Sequence, residues 1–295
     1  MNRNIEVLGL AFFVSYLDDS IKTQDDVEIH LRLPFLGYVP NIKTNSLVER
    51  DLQAHLHPRS NAAEGFRTIR AAISLMPKAD RYRIVSVTST IPSEGKSLTA
   101  TNLAIVNAQT GLRTLLVDSD LRRPSVHKSF GLHSPVGLSA YLQEEVNSVD
   151  EIVHSTEVPN LDVVCCGAIP QTPSELIGSK RMQEFLVAIR GRYDRIILDC
   201  PPVSAVSDPL VLASRADGVL FVTKFNKIRR EHARRTVQRL QDAGIHVIGV
   251  VLNDIDFEGK DSYYYSYYYY QNRYYASHYR SDTKEAAKGD KARKA

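Results

Sequence analysis

Short apolar runs alternate with longer amphipathic stretches along most of the chain, and this alternation limits the folds open to it. The runs are rich in β-branched residues, as buried strands are, and the stretches repeat apolar residues at helical spacing. Strands separated by helices predict an α/β fold with a doubly wound, mainly parallel sheet covered on both faces. We predict strands at 84–89, 114–118, 161–165, 195–199, 218–223 and 246–252, and helices at 60–76, 97–109, 180–190 and 230–242.

The alternation covers only the middle of the chain, so we divide the sequence into three parts. Residues 1–57 form a lead-in segment in which charges and prolines interrupt any periodic pattern. Residues 58–256 form the α/β domain, and residues 257–295 form a tyrosine-rich tail that we expect to be disordered. The apolar run 7–17 is too short to span a bilayer, although it could be the end of a longer hydrophobic segment.

Charge and cysteine content exclude several classes of function. The 295 residues include 37 Lys and Arg against 34 Asp and Glu, a net charge of +3. Residues 280–295 carry six basic and three acidic side chains, so the body of the chain is neutral and gives no basis for nucleic-acid binding. The three cysteines lack CxxC spacing, which argues against a zinc ribbon or a disulfide framework and indicates a reducing compartment.

A phosphate-binding motif follows the strand predicted at 84–89. Gly95-Lys96-Ser97 match the end of G-x-x-x-x-G-K-[ST], although Thr90 replaces the first glycine. The motif lies where a strand enters a helix, and N–H groups at a helix N-terminus bind phosphate. We expect a sheet of P-loop NTPase type, with Lys96 on the β- and γ-phosphates and Ser97 on Mg²⁺; the alternative is a turn with no ligand. The residues expected around the nucleotide are Pro92, Ser93, Glu94, Gly95, Lys96, Ser97 and Leu98.

Acidic residues follow two strands at the edge where such sheets bind ligands. Asp118 ends the strand at 114–118, Asp120 follows it, and Asp199 ends the strand at 195–199. A carboxylate there can hold hydrated Mg²⁺ or accept a proton from a hydroxyl group, although Asp is also a common turn residue or helix cap. The residues alone do not show which of the three acids accepts a proton and which holds Mg²⁺.

Two further residues are candidates for nucleotide binding. Arg122 follows the second strand and could contact phosphate oxygens, or form an ordinary surface ion pair. Asn253 follows the last predicted strand and could recognise the base of the nucleotide.

These motifs together resemble those of the bacterial tyrosine kinases that control capsule and exopolysaccharide synthesis. The resemblance rests on the P-loop at 90–97, a second motif at 115–122 and a third at 196–202. The lead-in is similar to the segment that follows the last membrane helix in family members fused to a membrane-spanning regulator, which makes it juxtamembrane-like. The similarity covers nearly the whole chain.

The resemblance implies an ATP-dependent protein-tyrosine autokinase that regulates capsular and exopolysaccharide polymerisation and export, with ATP and Mg²⁺ as cofactors. Lys96 acts with the three acids in catalysis. Asp118 is then the base toward the tyrosine hydroxyl, while Asp120 and Asp199 organise Mg²⁺ together with Ser97.

The resemblance also implies partners and a location. Glu64, Arg67 and Arg70 fit the family's motif for ring assembly, so we expect a homo-oligomer, although their three-residue spacing also fits a solvated ion-pair ladder. The other expected partners are a membrane-spanning polysaccharide co-polymerase or activator, fused or separate, and a cognate tyrosine phosphatase. The expected location is the cytoplasm, at the inner face of the plasma membrane.

The tail concentrates ten of the fifteen tyrosines of the chain. A low-complexity aromatic segment can simply be disordered. Beside a phosphotransfer site, however, a run of hydroxyl groups is best explained as the enzyme's own substrate, modified in trans. The expected acceptors are Tyr263, Tyr264, Tyr265, Tyr267, Tyr268, Tyr269, Tyr270, Tyr274, Tyr275 and Tyr279.

Two other functions fit parts of the sequence. One is an ATPase of the partition or septum-positioning type, but those proteins usually carry an extra lysine near the start of the P-loop, where Thr90, Ile91 and Pro92 supply none. The other is a nucleotide-bound export scaffold with negligible phosphotransfer, which the three motif acids argue against. The positioning-type ATPase also does not predict the tyrosine run.

Overall fold

The computed structural model describes residues 18–77 and 79–257. Residues up to Asp254 belong to one compact unit, and a second unit begins at Ile255, of which only 255–257 are described. The first unit is built on a sheet with strand order β1-β8-β7-β2-β6-β3-β5-β4. The strands are β1 (Phe35–Pro40), β2 (Ile84–Ser89), β3 (Thr114–Asp118), β4 (Val153–Ser155), β5 (Leu161–Val164), β6 (Arg195–Asp199), β7 (Gly218–Lys224) and β8 (Val247–Ile255).

Helices connect these strands. A π-helical segment at Asp26–Leu31 precedes β1, and short 3₁₀ turns lie at Ala79–Arg81 and Val149–Glu151. The α-helices are α1 (Leu47–Asp51), α2 (Gln53–Leu56), α3 (Asn61–Ser74), α4 (Lys96–Ala108), α5 (Val126–Ser129), α6 (Leu138–Leu142), α7 (Pro173–Gly178), α8 (Lys180–Arg190), α9 (Asp208–Ala213) and α10 (Arg230–Asp242).

The sheet is mainly parallel, which confirms the predicted fold class. The neighbours from β8 through β7, β2, β6 and β3 to β5 all pair in parallel, and β4 pairs with β5 in antiparallel fashion. The carboxyl ends of the parallel strands therefore meet at one edge of the sheet. In doubly wound folds this edge is where ligands bind.

Both faces of the sheet are covered, because residues of each strand alternate between two apolar cores. Val85 and Val87 of β2 join a core with α3 and α4, whereas Ile84 joins a second core with α8. The same alternation separates Leu116 of β3 from Leu115. A strand that is buried on both faces consists of a continuous apolar run, so its position can be predicted from the sequence.

Helix α3 shows how local sequence sets an element. The Ser60 hydroxyl accepts a hydrogen bond from the Ala63 N–H at 3.1 Å and so caps the first turn. Phe66 and Ile69, three residues apart, lie on its buried face. The helix ends at Ser74, two residues before the predicted end, and thus ahead of Pro77.

The lead-in contains more structure than the sequence predicts. Ile21 and Val27 are completely buried, and β1 lies beside β8 at one edge of the sheet. The Ile21 N–H donates to the Ile228 carbonyl at 2.9 Å, and Asp26 forms an ion pair with Arg230 at 2.8 Å. The division at residue 57 stays a prediction, and the apolar run at 7–17 lies outside the described residues.

Candidate active site

The phosphate loop at 90–97 connects β2 to α4 at the carboxyl edge of the sheet. Gly95 immediately precedes α4 with a φ of +95°, and Ser93 has a φ of +64°. These left-handed residues turn the chain from the strand into the helix. Because α4 begins at Lys96, its first N–H groups have no acceptor within the helix. The loop therefore has the backbone geometry that phosphate binding requires.

The sheet brings the three acidic residues to the same edge. β3 and β6 are parallel neighbours, and Asp118 pairs in register with Asp199. Asp120 lies two residues past the end of β3. All three are at most 3% exposed, so three carboxyl groups share a site that water barely reaches.

Lys96 is the cation that faces these acids. Its Nζ lies 2.9 Å from Oδ2 of Asp120 and 3.5 Å from Oδ1 of Asp199, and it also donates to Oγ of Ser97 at 3.3 Å. Burial acts to lower the pKa of Lys96, but the carboxylates of Asp199 and Asp120 outweigh it and hold that pKa above its usual range. Lys96 is therefore charged at neutral pH.

Burial also changes the titration of the acids. Desolvation, and then the carboxylate of Asp199, raise the pKa of Asp118 well above its usual range. Desolvation likewise raises the pKa of Asp199, and the ammonium of Lys96 opposes that shift. A carboxylate with a raised pKa is a stronger base than an exposed one, so this pair is suited to accept a proton.

Several carboxylate oxygens at this edge lack a donor. Oδ2 of Asp118 accepts the N–H groups of Ser125 and Val126, each at 3.0 Å, but Oδ1 has no hydrogen-bond partner in the described part of the chain. Neither oxygen of Asp199 has a hydrogen-bond partner there either, although the Lys96 ammonium lies 3.5 Å from Oδ1 as an ion pair. A buried acceptor without a donor is costly, and a bound cation or hydroxyl group would relieve that cost.

The acids fit magnesium held together with a nucleotide. Across residues 18–77 and 79–257, no group of three or more His, Cys, Asp or Glu side chains could hold a metal ion by itself. Mg²⁺ usually takes only one or two carboxylates and completes its shell with phosphates and water. Asp199, with two unsatisfied oxygens, and Asp120, whose Oδ1 accepts the Arg123 N–H at 3.0 Å, match that requirement.

Arg122 has partners that the sequence analysis did not identify. Its guanidinium binds the carboxylate of Asp208, with Nε 2.7 Å from Oδ2, and donates to Oγ of Ser174 at 2.7 Å. Asp208 begins α9, and Ser174 lies in the first turn of α7. Both are far from Arg122 in sequence, so no local signal connects them. The structure thus shows Arg122 in an ion pair beside the site, and its contact with phosphate stays a prediction.

Glu94 and Asn253 lie against the loop itself. The Glu94 carboxylate accepts the N–H of Ile91 at 2.7 Å and of Lys224 at 3.2 Å, and its burial raises its pKa to about 7. Asn253 lies on β8, and its Nδ2 donates to the Glu94 carbonyl at 2.9 Å. Recognition of a base by Asn253 remains a prediction.

Comparison with known proteins then identifies the family. A protein-family model, ParA, described as "NUBPL iron-transfer P-loop NTPase", matches residues 81–283. Tyrosine-protein kinase YwqD of Bacillus subtilis is 38% identical over 208 residues, which cover 70% of this chain and 87% of YwqD. The chain belongs to the bacterial tyrosine kinases.

Further comparisons agree with this family. Putative tyrosine-protein kinase EpsB of Ralstonia nicotianae is 35% identical over 88% of this chain, which spans only 36% of EpsB. The crystal structure of the chimerical protein CapA2B2 superposes with a TM-score of 0.74 at 33% identity, covering 79% of this chain and 100% of the other. The septum site-determining protein MinD of Pyrococcus horikoshii, at 22% identity and a TM-score of 0.51, shares the fold alone.

Membership confirms the predicted family, and the relatives compared above are named as tyrosine-protein kinases. The residues expected to assemble this bacterial tyrosine kinase into rings lie on α3. Arg67 forms an ion pair with Glu64 at 2.8 Å, and Arg70 donates to the Val106 carbonyl of α4 at 2.9 Å. These contacts fit the ion-pair reading, and ring assembly remains a prediction.

Other expectations for this bacterial tyrosine kinase fall outside what the structure describes. The ten tail tyrosines, from Tyr263 to Tyr279, are not among the described residues. Within residues 18–77 and 79–257, no helix is long and apolar enough to cross a membrane.

Proposed function

We propose that the chain is an ATP-dependent protein-tyrosine autokinase of capsule or exopolysaccharide synthesis that phosphorylates its own C-terminal tyrosines in trans. One observation carries the proposal. Four groups converge at the end of a phosphate loop: the ammonium of Lys96, the buried carboxylates of Asp120 and Asp199, and the unpartnered oxygen of Asp118. The tyrosine kinases among its relatives support the same chemistry.

The loop and Lys96 position the nucleotide. The N–H groups that begin α4 and the ammonium of Lys96 would hold the phosphates and offset the charge that develops during transfer. Ser97, Asp120 and Asp199 are the residues that would hold Mg²⁺, which neutralises phosphate charge when it is bound. At present Lys96 binds Asp120 directly, so the phosphates of ATP would compete for the same ammonium group.

Asp118 is the proposed acceptor of the tyrosine proton. A phenol has an ordinary pKa of about 10 and stays neutral at pH 7, so its attack on phosphorus needs a base. Asp118 meets this need in two ways, because its Oδ1 has no donor among the described residues and its pKa is raised by burial and by Asp199. The N–H groups on Oδ2 keep the carboxyl group in place.

The proposed acceptors are the ten tail tyrosines of a neighbouring copy. Tyr263 lies ten positions after Asn253 along the chain, and ten residues can span at most about 35 Å. Such a reach suits transfer between neighbours in a ring held through Glu64, Arg67 and Arg70.

The remaining partners follow from the same proposal. A membrane-spanning activator, fused or separate, would keep the kinase at the inner face of the plasma membrane, and a tyrosine phosphatase would reverse the modification. The similarity to the chimerical protein CapA2B2 supports the choice of family for these expectations.

The test separates the donor of phosphate from its acceptor. The donor is the chain with all ten tail tyrosines changed to Phe, and the acceptor is Lys96→Met with an intact tail. Mixed with Mg-ATP, the pair should give phosphotyrosine on the acceptor, which alone should stay unmodified. An unmodified acceptor in the mixture would contradict transfer in trans. Hydrolysis of ATP by the wild type without any phosphotyrosine would favour the positioning-ATPase alternative.

Ring assembly has its own test. Light scattering after size exclusion should show Glu64→Ala/Arg67→Ala as a monomer that still binds Mg-ADP, because neither side chain touches the phosphate loop. This double variant leaves the Arg70 contact with Val106 intact and so spares the packing of α3 on α4. If the double variant keeps the oligomeric state of the wild type, Glu64 and Arg67 form a surface ion pair with no role in assembly.

A further inference from the structure

Glu94 is a carboxylate that belongs to the phosphate loop yet binds the protein backbone. Its side chain is completely buried. Oε2 accepts the N–H of Ile91 at 2.7 Å, and Oε1 accepts the N–H of Lys224, the last residue of β7, at 3.2 Å. One carboxylate thus closes the loop on itself and connects it to the neighbouring strand.

Two more contacts hold the loop from the same side. The Asn253 amide donates to the Glu94 carbonyl, and a Cβ atom on Gly95 would lie only 1.9 Å from that amide nitrogen. The ammonium of Lys227 lies 3.3 Å from the Ser93 carbonyl. These two contacts use carbonyl groups of the loop, so they leave the N–H groups of residues 93–97 available for a ligand.

An acceptor oxygen is needed opposite each of these two N–H groups. Each would lose its hydrogen bond if Glu94 were removed, and an amide side chain in its place would turn a donor toward one of them. Ionisation here is unfavourable, because burial raises the pKa of Glu94 to about 7. The loop thus retains a buried acidic group whose oxygens contact backbone N–H groups.

We propose that Glu94 is a positioning residue, whose carboxylate fixes the phosphate loop against β7 so that the N–H groups of residues 93–97 face the phosphates of the nucleotide. The role rests on the nucleotide site of the proposed function but does not require transfer to tyrosine. Binding of nucleotide alone therefore tests it.

The experiment compares Glu94→Gln with a matched control in the full chain. The control is Asp217→Asn, because the Asp217 carboxylate accepts the Ile84 N–H at 2.7 Å and so joins β2 to β7 at the opposite end of both strands. Calorimetry with Mg-ADP should show Kd raised by about 10-fold or more in Glu94→Gln, the scale for one hydrogen bond to a charged group. Asp217→Asn should bind Mg-ADP as the wild type does.

A second variant keeps the test decisive if Glu94→Gln fails to fold, which thermal melting will reveal. Glu94→Asp retains the charge but is one methylene shorter, so it cannot reach both N–H groups and should also weaken Mg-ADP binding. Wild-type Kd in either folded variant, or equal weakening in Asp217→Asn, would overturn the positioning role. A wild type that binds Mg-ADP but makes no phosphotyrosine would refute the kinase proposal and leave the Glu94 result intact.

Discussion

Replacing Lys96 by Met removes the cation on which three buried acids depend. Lys96 lies 2.9 Å from Asp120 and 3.5 Å from Asp199, and its side chain is only 12% exposed. Methionine has a similar length and no charge, so the substitution changes electrostatics more than volume. The carboxylates are then left in a nearly dry site without a counter-charge.

The expected loss of stability is large. Removing one partner of a buried ion pair costs about 3 to 5 kcal/mol, and for a domain of this size each kcal/mol lowers Tm by about 2 to 4 °C. We therefore expect a Tm roughly 6 to 20 °C below that of the wild type at pH 8 without nucleotide. The gap should narrow at pH 5.5, because the carboxyl groups of Asp118 and Asp199 have raised pKa values and become neutral by binding protons in the folded state.

Thermal unfolding at both pH values measures this effect, and a double variant isolates its cause. Lys96→Met/Asp120→Asn removes one of the stranded charges and should recover much of the lost stability. Autophosphorylation should stay at least about 100-fold below wild type in both variants, because the phosphates lose their ammonium contact. A wild-type Tm for Lys96→Met at pH 8 would refute the reasoning, as would further destabilisation on adding Asp120→Asn.

Three further predictions concern the loop and the tail. Gly95→Ala should abolish Mg-ADP binding, because its Cβ would lie 1.9 Å from the Asn253 amide nitrogen. The control is Gly111→Ala, which also has a positive φ, +90°, but has open space around it, and it should cost only about 1 kcal/mol of stability. Glu94 has its pKa raised, so the folded state binds its proton more tightly. The stability of the wild type relative to Glu94→Gln should fall by about 2 to 3 kcal/mol from pH 5 to pH 8 in urea unfolding, and no change would contradict the raised pKa. Each phosphotyrosine adds about −1.5 to −2 charges, so phosphorylated tails of neighbouring copies should repel one another. Light scattering should then show the oligomer shifting toward monomer as the tail is phosphorylated, and an oligomeric state that does not change with phosphorylation would disprove this prediction.

Elements that local sequence determines were predictable. β2, β3 and β6 have the predicted bounds because each is a buried apolar run that begins and ends at polar residues or turns. The three acids meet as expected, because parallel strands place their carboxyl ends at one edge. That part of the site needs only strand positions and parallel pairing.

Features that depend on distant contacts were not predictable. β1 contains Pro40, and Pro34 precedes it, so it resembles a loop, and only its neighbour β8 makes it a strand. Arg122 and Asp208 are 86 residues apart, and no periodic pattern connects them. Glu94 belongs to the expected motif, but its bond to Lys224 arises only when β7 lies beside β2.

The position of β1 also affects how the protein can be shortened. A chain that begins at residue 58 would lack this strand, and Val39, which is completely buried, would no longer cover its part of the core. β8 would become the outer strand, and its unpaired N–H and C=O groups would be open to strands of other molecules. Truncation at that point therefore favours aggregation, whereas a chain that retains residues 18–57 keeps β8 covered by β1.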